Sequence, residues 1–231
     1  KRYFVRGKLG QVSNTGDSEG ELSEYGPTKD VNETNIKKAL LNFVGDIEQI
    51  PPMFSALKRE GTPLYKLARK GIEVERDSRE VSIHEILFKG FDGDILSLEV
   101  SCSKGTYIRT LIEDIGKSLG CGGYVIELRR IGFAHFDIAE GKTFQDLETF
   151  KEDSFFNLDS LLIGADKMLP NLNSVYLNLE QSTDIKFGRK ITFSGLEIDQ
   201  TFKLYDEKKE FIGIGQSNKL SEVLPKRLFI R

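Results

Sequence analysis

Along the first nine residues, apolar Tyr3, Val5 and Leu9 alternate with Arg2, Arg6 and Lys8, the period of a strand buried on one face. "NTGDSEG" (14 to 20) interrupts it with turn-forming residues. Asn32 or Thr34 is then placed to cap a helix on which Ile36, Leu40, Phe43, Val44 and Ile47 share one face, with Pro51 and Pro52 ending it. "GTPLYKLARKG" (61 to 71) predicts another helix, with Thr62 as N-cap, Pro63 at the first helical position and Gly71 past the end. Two alternating runs, Val81 to Phe91 and Ile95 to Cys102, flank "DGD" (92 to 94) and predict a hairpin.

At Cys102 the period changes. Ile108, Leu111, Ile112, Ile115 and Leu119 recur at helical spacing as far as Gly120. Gly105 marks the corner, and Tyr107 and Arg109 stand at the helix start. "YVIELRRIGFAHF" (124 to 136) returns to strand, "FQDLETF" (144 to 150) reads as a short helix, and "LDSLLIGADKMLP" (158 to 170) as a boundary region. Beyond Leu172 short strands at close spacing (175 to 179, 201 to 205, 210 to 214, 227 to 230) predict a small β-barrel-like second domain.

Composition changes this picture little. Apolar residues are 39% and charged residues 30% of 231, within the range of a globular protein with one large domain or one medium and one small one. No run of eighteen apolar residues is present, which excludes a spanning helix. Cys102 and Cys121 form no metal or disulfide spacing and read as reduced thiols of a cytosolic protein. With only His84 and His135 beside them, a zinc site is not expected. The chain opens inside a strand at Lys1 without methionine, which suggests a fragment.

A net charge of −3 does not by itself point to nucleic acid. One stretch departs from that average. In "IPPMFSALKREGTPLYKLARKG" (50 to 71), Lys58, Arg59, Lys66, Arg69 and Lys70 face a single carboxylate, Glu60, with Phe54 and Tyr65 interleaved. Cations with rings suit RNA, although charge alone slightly favours a solvated helix face. "GKT" (141 to 143) is no phosphate loop, since Phe136 stands where a glycine is required. "NLDSLLIG" (157 to 164) reads as a domain-edge strand and "TGD" (15 to 17) as a solvated turn. No G-x-S-x-G elbow occurs. Taken singly, Arg109 reads as a surface partner of Glu113, Tyr107 as a core cap, and Cys102 as core.

In order along the chain, "KRY", "TGDSEGE", "IPPMFSALKREGTPLYKLARKG", "CSKGTYIRTLIEDIGKSLGCGG" and "ELRR" resemble the bacterial TruB-type tRNA pseudouridine synthases. The resemblance is close over residues 1 to 165 and looser beyond. It implies an α+β fold with a mixed, largely antiparallel sheet and flanking helices. Residues 1–168 would be the catalytic domain, with a thumb insertion at about 50–71, and residues 169–231 a PUA-type RNA-binding domain. The implied reaction is isomerisation of the T-loop uridine at tRNA position 55 by a cytoplasmic monomer that needs no cofactor and no metal. Tyr3 would stack on the base, Tyr107 and Arg109 would line the pocket, and Leu128 would pack on the nucleotide. Arg109 would pair with the nucleophilic aspartate, and Lys58, Arg59, Lys66, Arg69 and Lys70 would bind the T-stem-loop.

That aspartate belongs to a G-T-L-D-P-x-A-T-G motif preceding "KRY", and residues 1 to 231 do not contain it. Asp17 and Asp159 lie on the wrong side of the motifs to replace it. The expectation is therefore an inactive fragment. The alternatives are a non-catalytic RNA-binding or RNA-folding module, and a guide-RNA-dependent synthase, against which the thumb insertion argues.

Overall fold

The N-terminal alternation forms strand β1 (Arg2–Leu9), with Val5 and Leu9 buried and Tyr3 packed beside them. Helix α1 (Glu33–Leu40) follows, capped by Asn32, whose carboxamide accepts from the N–H groups of Thr34 and Asn35. The predicted continuation of this helix to the prolines does not occur. A 3-10 turn at Leu41–Phe43 and Gly45, at φ +103°, end it, and strand β2 (Gly45–Gln49) begins. A residue with a Cβ is strained at that φ, so the glycine breaks the helical run. Ile36 and Leu40 are buried and Phe43 and Ile47 pack partly on the core, whereas Val44 is left 46% exposed, so the spacing marked inward positions but not a continuous helix.

Strands β3 (Arg79–Asp92) and β4 (Ile95–Cys102) form the expected hairpin about Gly93. Helix α2 (Ile108–Ser118), strand β5 (Gly123–Phe133) and the short β6 (Phe136–Asp137) complete the unit. The strands order as β6-β5-β1-β4-β3-β2, every neighbour antiparallel. Ile108, Leu111, Ile112 and Ile115 of α2 pack on Val5, Leu96, Leu98, Val100 and Cys102, each buried aliphatic contributing about 1.5–3 kcal/mol. Gly116 lets α2 approach the chain at Gly122, since a Cβ there would meet the Gly122 backbone.

The computed structural model describes residues 1–153, 155–193, 195–219 and 221–229. They divide into two compact units, Lys1–Gly141 and Lys142–Arg231. In the second, helices α3 (Phe144–Asp153) and α4 (Phe155–Ser160) come first. The edge strand expected at 157 to 164 is instead the end of α4 and an irregular segment. Strand β7 (Ser174–Tyr176), helix α5 (Leu179–Lys186) and strands β8 (Ile191–Thr192), β9 (Thr201–Tyr205), β10 (Phe211–Ser217) and β11 (Glu222–Leu228) follow. Their order is β7-β9-β10-β11-β8, with only the β7–β9 pair parallel. Val175, Ile185, Phe202, Leu204, Ile212 and Val223 make its core. The first predicted strand stops early because Asn178 and Gln181 cap α5 reciprocally. Of the last predicted strand, Ile230 lies outside the described residues.

Candidate active site at the strand-to-helix corner

Between β4 and α2 the chain turns through Gly105, at φ +90°. Tyr107 is the N-cap of α2 in an extended conformation, and its side chain makes no capping bond. Its backbone is held by a side chain from β2. The Tyr107 N–H donates to Gln49 Oε1 at 3.0 Å, and Gln49 Nε2 donates to the Tyr107 carbonyl at 3.3 Å. The carboxamide is 2% exposed.

One residue into α2, Arg109 reaches sideways. Nη1 donates to Asp17 Oδ2 at 2.7 Å and to the Thr15 carbonyl at 3.0 Å, and Nη2 donates to the Phe54 carbonyl at 2.8 Å. The surface pair with Glu113 is therefore not the arrangement. Glu113 lies 4.0 Å from Lys117 instead. The "TGD" stretch is likewise no solvated turn. Asp17 Oδ1 accepts from the Thr15 hydroxyl at 2.7 Å and from the Glu19 N–H at 3.2 Å. Gly16 hydrogen-bonds through its carbonyl to the Val125 N–H at 3.0 Å, and a Cβ on it would collide with the Glu113 carboxylate. A sequence-distant turn is thus docked between α2 and β5.

Burial raises the energy of a charged Asp17, but the bonds from Thr15, Arg109 and Glu19 and the guanidinium charge outweigh it. The carboxyl is held below its ordinary value. Asp17 and Arg109 are 25% and 23% exposed, so the pair is neither fully desolvated nor a freely solvated bridge.

Asp17, Ser18, Glu19, Arg109, Val125 and Leu128 border one cleft of about 240 Å³. The sequence-predicted Arg109 and Leu128 are therefore brought together, and Leu128 is 43% exposed. Tyr3 sits two residues along β1 from Val5, the register partner of Leu128, and packs partly on the core. Tyr107 stands half-buried at the head of α2. Asp17 and Gln49 were missed as site residues. For Asp17 the signal was present in "TGDSEG", a turn too rich in hydrogen-bonding residues to need only solvent. For Gln49 no local signal exists.

In the basic stretch, Lys58–Arg59 and Thr62–Pro63 pair as a hairpin about Glu60 and Gly61, both at positive φ. Thr62 is consequently not an N-cap. Pro63 takes that position, before a short helix at Leu64–Ala68 anchored by buried Leu64. Lys58, Arg59, Lys66, Arg69 and Lys70 are all exposed. The Arg69 guanidinium lies 5.6 Å from the Tyr65 ring centroid. Arg76 and Arg79, together with Glu75 and Asp77, border a cleft with Lys58 and Arg59. Among the described residues no cluster of His, Cys, Asp and Glu could hold a metal ion, and no helix is long and apolar enough to cross a membrane.

Comparison with known proteins fits this architecture. The family model described as TruB family pseudouridylate synthase (N terminal domain) matches residues 1–108. The tRNA pseudouridylate synthase B C-terminal domain matches 109–170, and Pseudouridine synthase II TruB, C-terminal, matches 174–229. The tRNA pseudouridine synthase B of Shewanella sp. (strain ANA-3) is 40% identical over 238 residues, covering 100% of this chain and 75% of that protein. That of Haemophilus influenzae is 43% identical over 218 residues, covering 93% of this chain and 69% of that protein. Among solved structures, a chain of a Cbf5-Nop10-Gar1 complex shares the fold at a TM-score of 0.69 and 20% identity, covering 100% of this chain and 66% of that one. A chain of an H/ACA ribonucleoprotein bound to substrate RNA containing 2'-deoxyuridine gives 0.68 and 19%, with the same coverage. With three successive family matches and whole-chain identity to named relatives, the chain belongs to the TruB family of pseudouridylate synthases.

Proposed function

We propose that this chain carries the substrate pocket and RNA-gripping surface of an enzyme that isomerises uridine to pseudouridine in tRNA. The observation that carries the reading is the Asp17–Arg109 pair in a cleft shared with Leu128, in a chain 40% identical to proteins named tRNA pseudouridine synthase B. A base taken out of its stack needs an aromatic surface and an apolar wall to offset what it loses. Tyr3 and Tyr107 are proposed to supply the first and Leu128 the second.

The nucleophile is proposed to be the aspartate of the family's G-T-L-D-P motif, which residues 1–231 do not contain. A carboxylate in a dry pocket needs a cation that keeps its proton, which is the property of guanidinium. A guanidinium has five N–H donors. The described contacts of Arg109 use both hydrogens of Nη1 and one of Nη2, so donors remain to face a second carboxylate. Lys58, Arg59, Lys66, Arg69 and Lys70 are proposed to neutralise phosphates of the T-stem-loop, the target being the T-loop uridine at position 55. The reading further assigns residues 1–168 to catalysis and 169–231 to RNA contact, in a monomer working in the cytoplasm.

The test is tritium release from 5-tritiated uridine in a T-stem-loop RNA. Full-length protein with the aspartate motif is expected to turn over. A polypeptide of residues 1–231, checked by mass spectrometry, is expected to stay at background. An inactive full-length protein on tRNA would overturn the reading.

A further inference from the structure

β2 is the edge strand of its sheet, and Gln49 is its one buried residue. An apolar side chain at that inward position would avoid the cost of desolvating a carboxamide. Instead both of its polar ends are engaged by a single residue 58 positions away, the Tyr107 N–H and the Tyr107 carbonyl. That carbonyl also accepts the Leu111 N–H at 3.1 Å, in the first turn of α2. The amide therefore fixes the peptide from which the helix starts, where the N-cap side chain makes no bond of its own.

The same segment grips the helix a second time. Five residues beyond Gln49, the Phe54 carbonyl accepts from Arg109 Nη2 at 2.8 Å. Pro51, buried, and Pro52, half-buried, lie between the two holds, and their rings restrict the backbone that joins them. The guanidinium is thus located from one side by the 49–54 segment and from the other by Asp17 and Thr15.

We infer that Gln49 is a positioning residue for the reaction proposed above: by clamping the Tyr107 backbone it sets how Tyr107 stands at the helix start and where Arg109 stands in the cleft. This rests on that functional reading but concerns a residue no RNA group need touch. Misplacement of a reacting constellation by about 1 Å can cost on the order of a hundredfold in rate. Loss of the clamp is therefore expected to slow the chemical step and spare RNA affinity.

The test uses the full-length protein. Gln49→Met keeps the volume and removes both hydrogen bonds. Its single-turnover rate at saturating enzyme is expected to fall by about tenfold to a hundredfold, with the RNA Kd within about twofold. Because Gln49 acts through the corner, Gln49→Met combined with Arg109→Lys should cost less than the product of the separate losses. A purely structural role would lower the Tm, leave the rate of the folded protein intact, and give multiplicative losses; either kinetic result overturns the inference. Should Gln49→Met fail to fold, Gln49→Glu, which keeps an acceptor for the Tyr107 N–H, is judged by the same criteria. Amide exchange at Tyr107 gives a readout independent of turnover and should quicken in Gln49→Met, which leaves that N–H without its acceptor; unchanged exchange in Gln49→Met also overturns it. Wild-type protein that makes no pseudouridine would sink the functional reading, while the exchange result would still decide the clamp.

Discussion

At the scale of single residues, the corner turns on one ion pair with two consequences. In the full-length enzyme, Arg109→Ala removes the cation proposed to face the nucleophilic aspartate, and losing the partner of a buried charge costs on the order of 3–5 kcal/mol. Acting wholly on the chemical step, that is roughly a hundred- to several-thousand-fold in rate. RNA affinity should change little, because the proposed partners of Arg109 are carboxylates. Arg109→Lys should recover part of the rate, since an ammonium cannot reproduce the fork. Single-turnover kinetics and a binding isotherm separate these outcomes. A normal rate with weakened binding would make Arg109 a phosphate contact. The second consequence concerns acid. The Asp17 carboxyl is lowered in the folded state from its ordinary value of 3.8. Its stabilisation is complete above that value and is lost as pH falls through the lower folded value. Asp17→Asn should therefore flatten the dependence of Tm on pH below about 4, which melts at stepped pH would show.

At the scale of elements, the basic hairpin and its short helix carry their own prediction. Replacing Lys58, Arg59, Lys66, Arg69 and Lys70 by alanine should weaken tRNA binding and reduce the slope of log affinity against log salt by about one for each lysine or arginine that meets a phosphate. An unchanged slope would return the stretch to a solvated face. This region also shows what a sequence withholds. The strand hairpin at Gly93 and helix α2 were legible because their periods are long and bounded by glycine. The hairpin at Glu60–Gly61 was not, since Thr62–Pro63 followed by Leu64 carries helix-start chemistry equally well. Past Leu40, apolar residues at helical spacing concealed a strand, because pairing with β3 and the backbone of Gly45 decided the conformation. The site divided in the same way. Arg109 and Leu128 were legible from family motifs, whereas the contacts of Asp17 and Gln49 cross 92 and 58 positions of chain, a separation that local periodicity does not encode.

At the scale of the molecule, the two units differ in how they hold carboxylates, and this predicts that they resist acid differently. In Lys1–Gly141, burial pushes the carboxyls of Glu113 and Asp114 up, against the lowering at Asp17. A raised carboxyl is a cost to folding at neutral pH, relieved as the group protonates, so acidification removes one stabilisation and two penalties. In Lys142–Arg231, burial of Asp206 is outweighed by bonds from the Glu210 N–H, Lys186 and the Lys208 N–H, and its carboxyl is lowered. Asp206 is 4% exposed, with Lys186 Nζ at 3.1 Å. Asp146, held by Thr143, and Glu222, held by Lys190 and Asn218, are lowered too. Their ordinary values are 3.8, 3.8 and 4.5, and lowered groups stabilise above those values and lose that contribution as pH falls through the folded ones. The second unit should therefore lose more stability than the first as pH drops below about 4.5. Brief pepsin pulses at decreasing pH, with fragments identified by mass spectrometry, should show cleavage within 142–231 rising more steeply with acid than cleavage within 1–141. Asp206→Asn should lower the stability of the second unit at neutral pH, where the Lys186 pair is lost, and shrink its loss on acidification. Equal acid sensitivity of the two units in the wild type, or an acid profile untouched by Asp206→Asn, would refute this account of how the two units respond to protons.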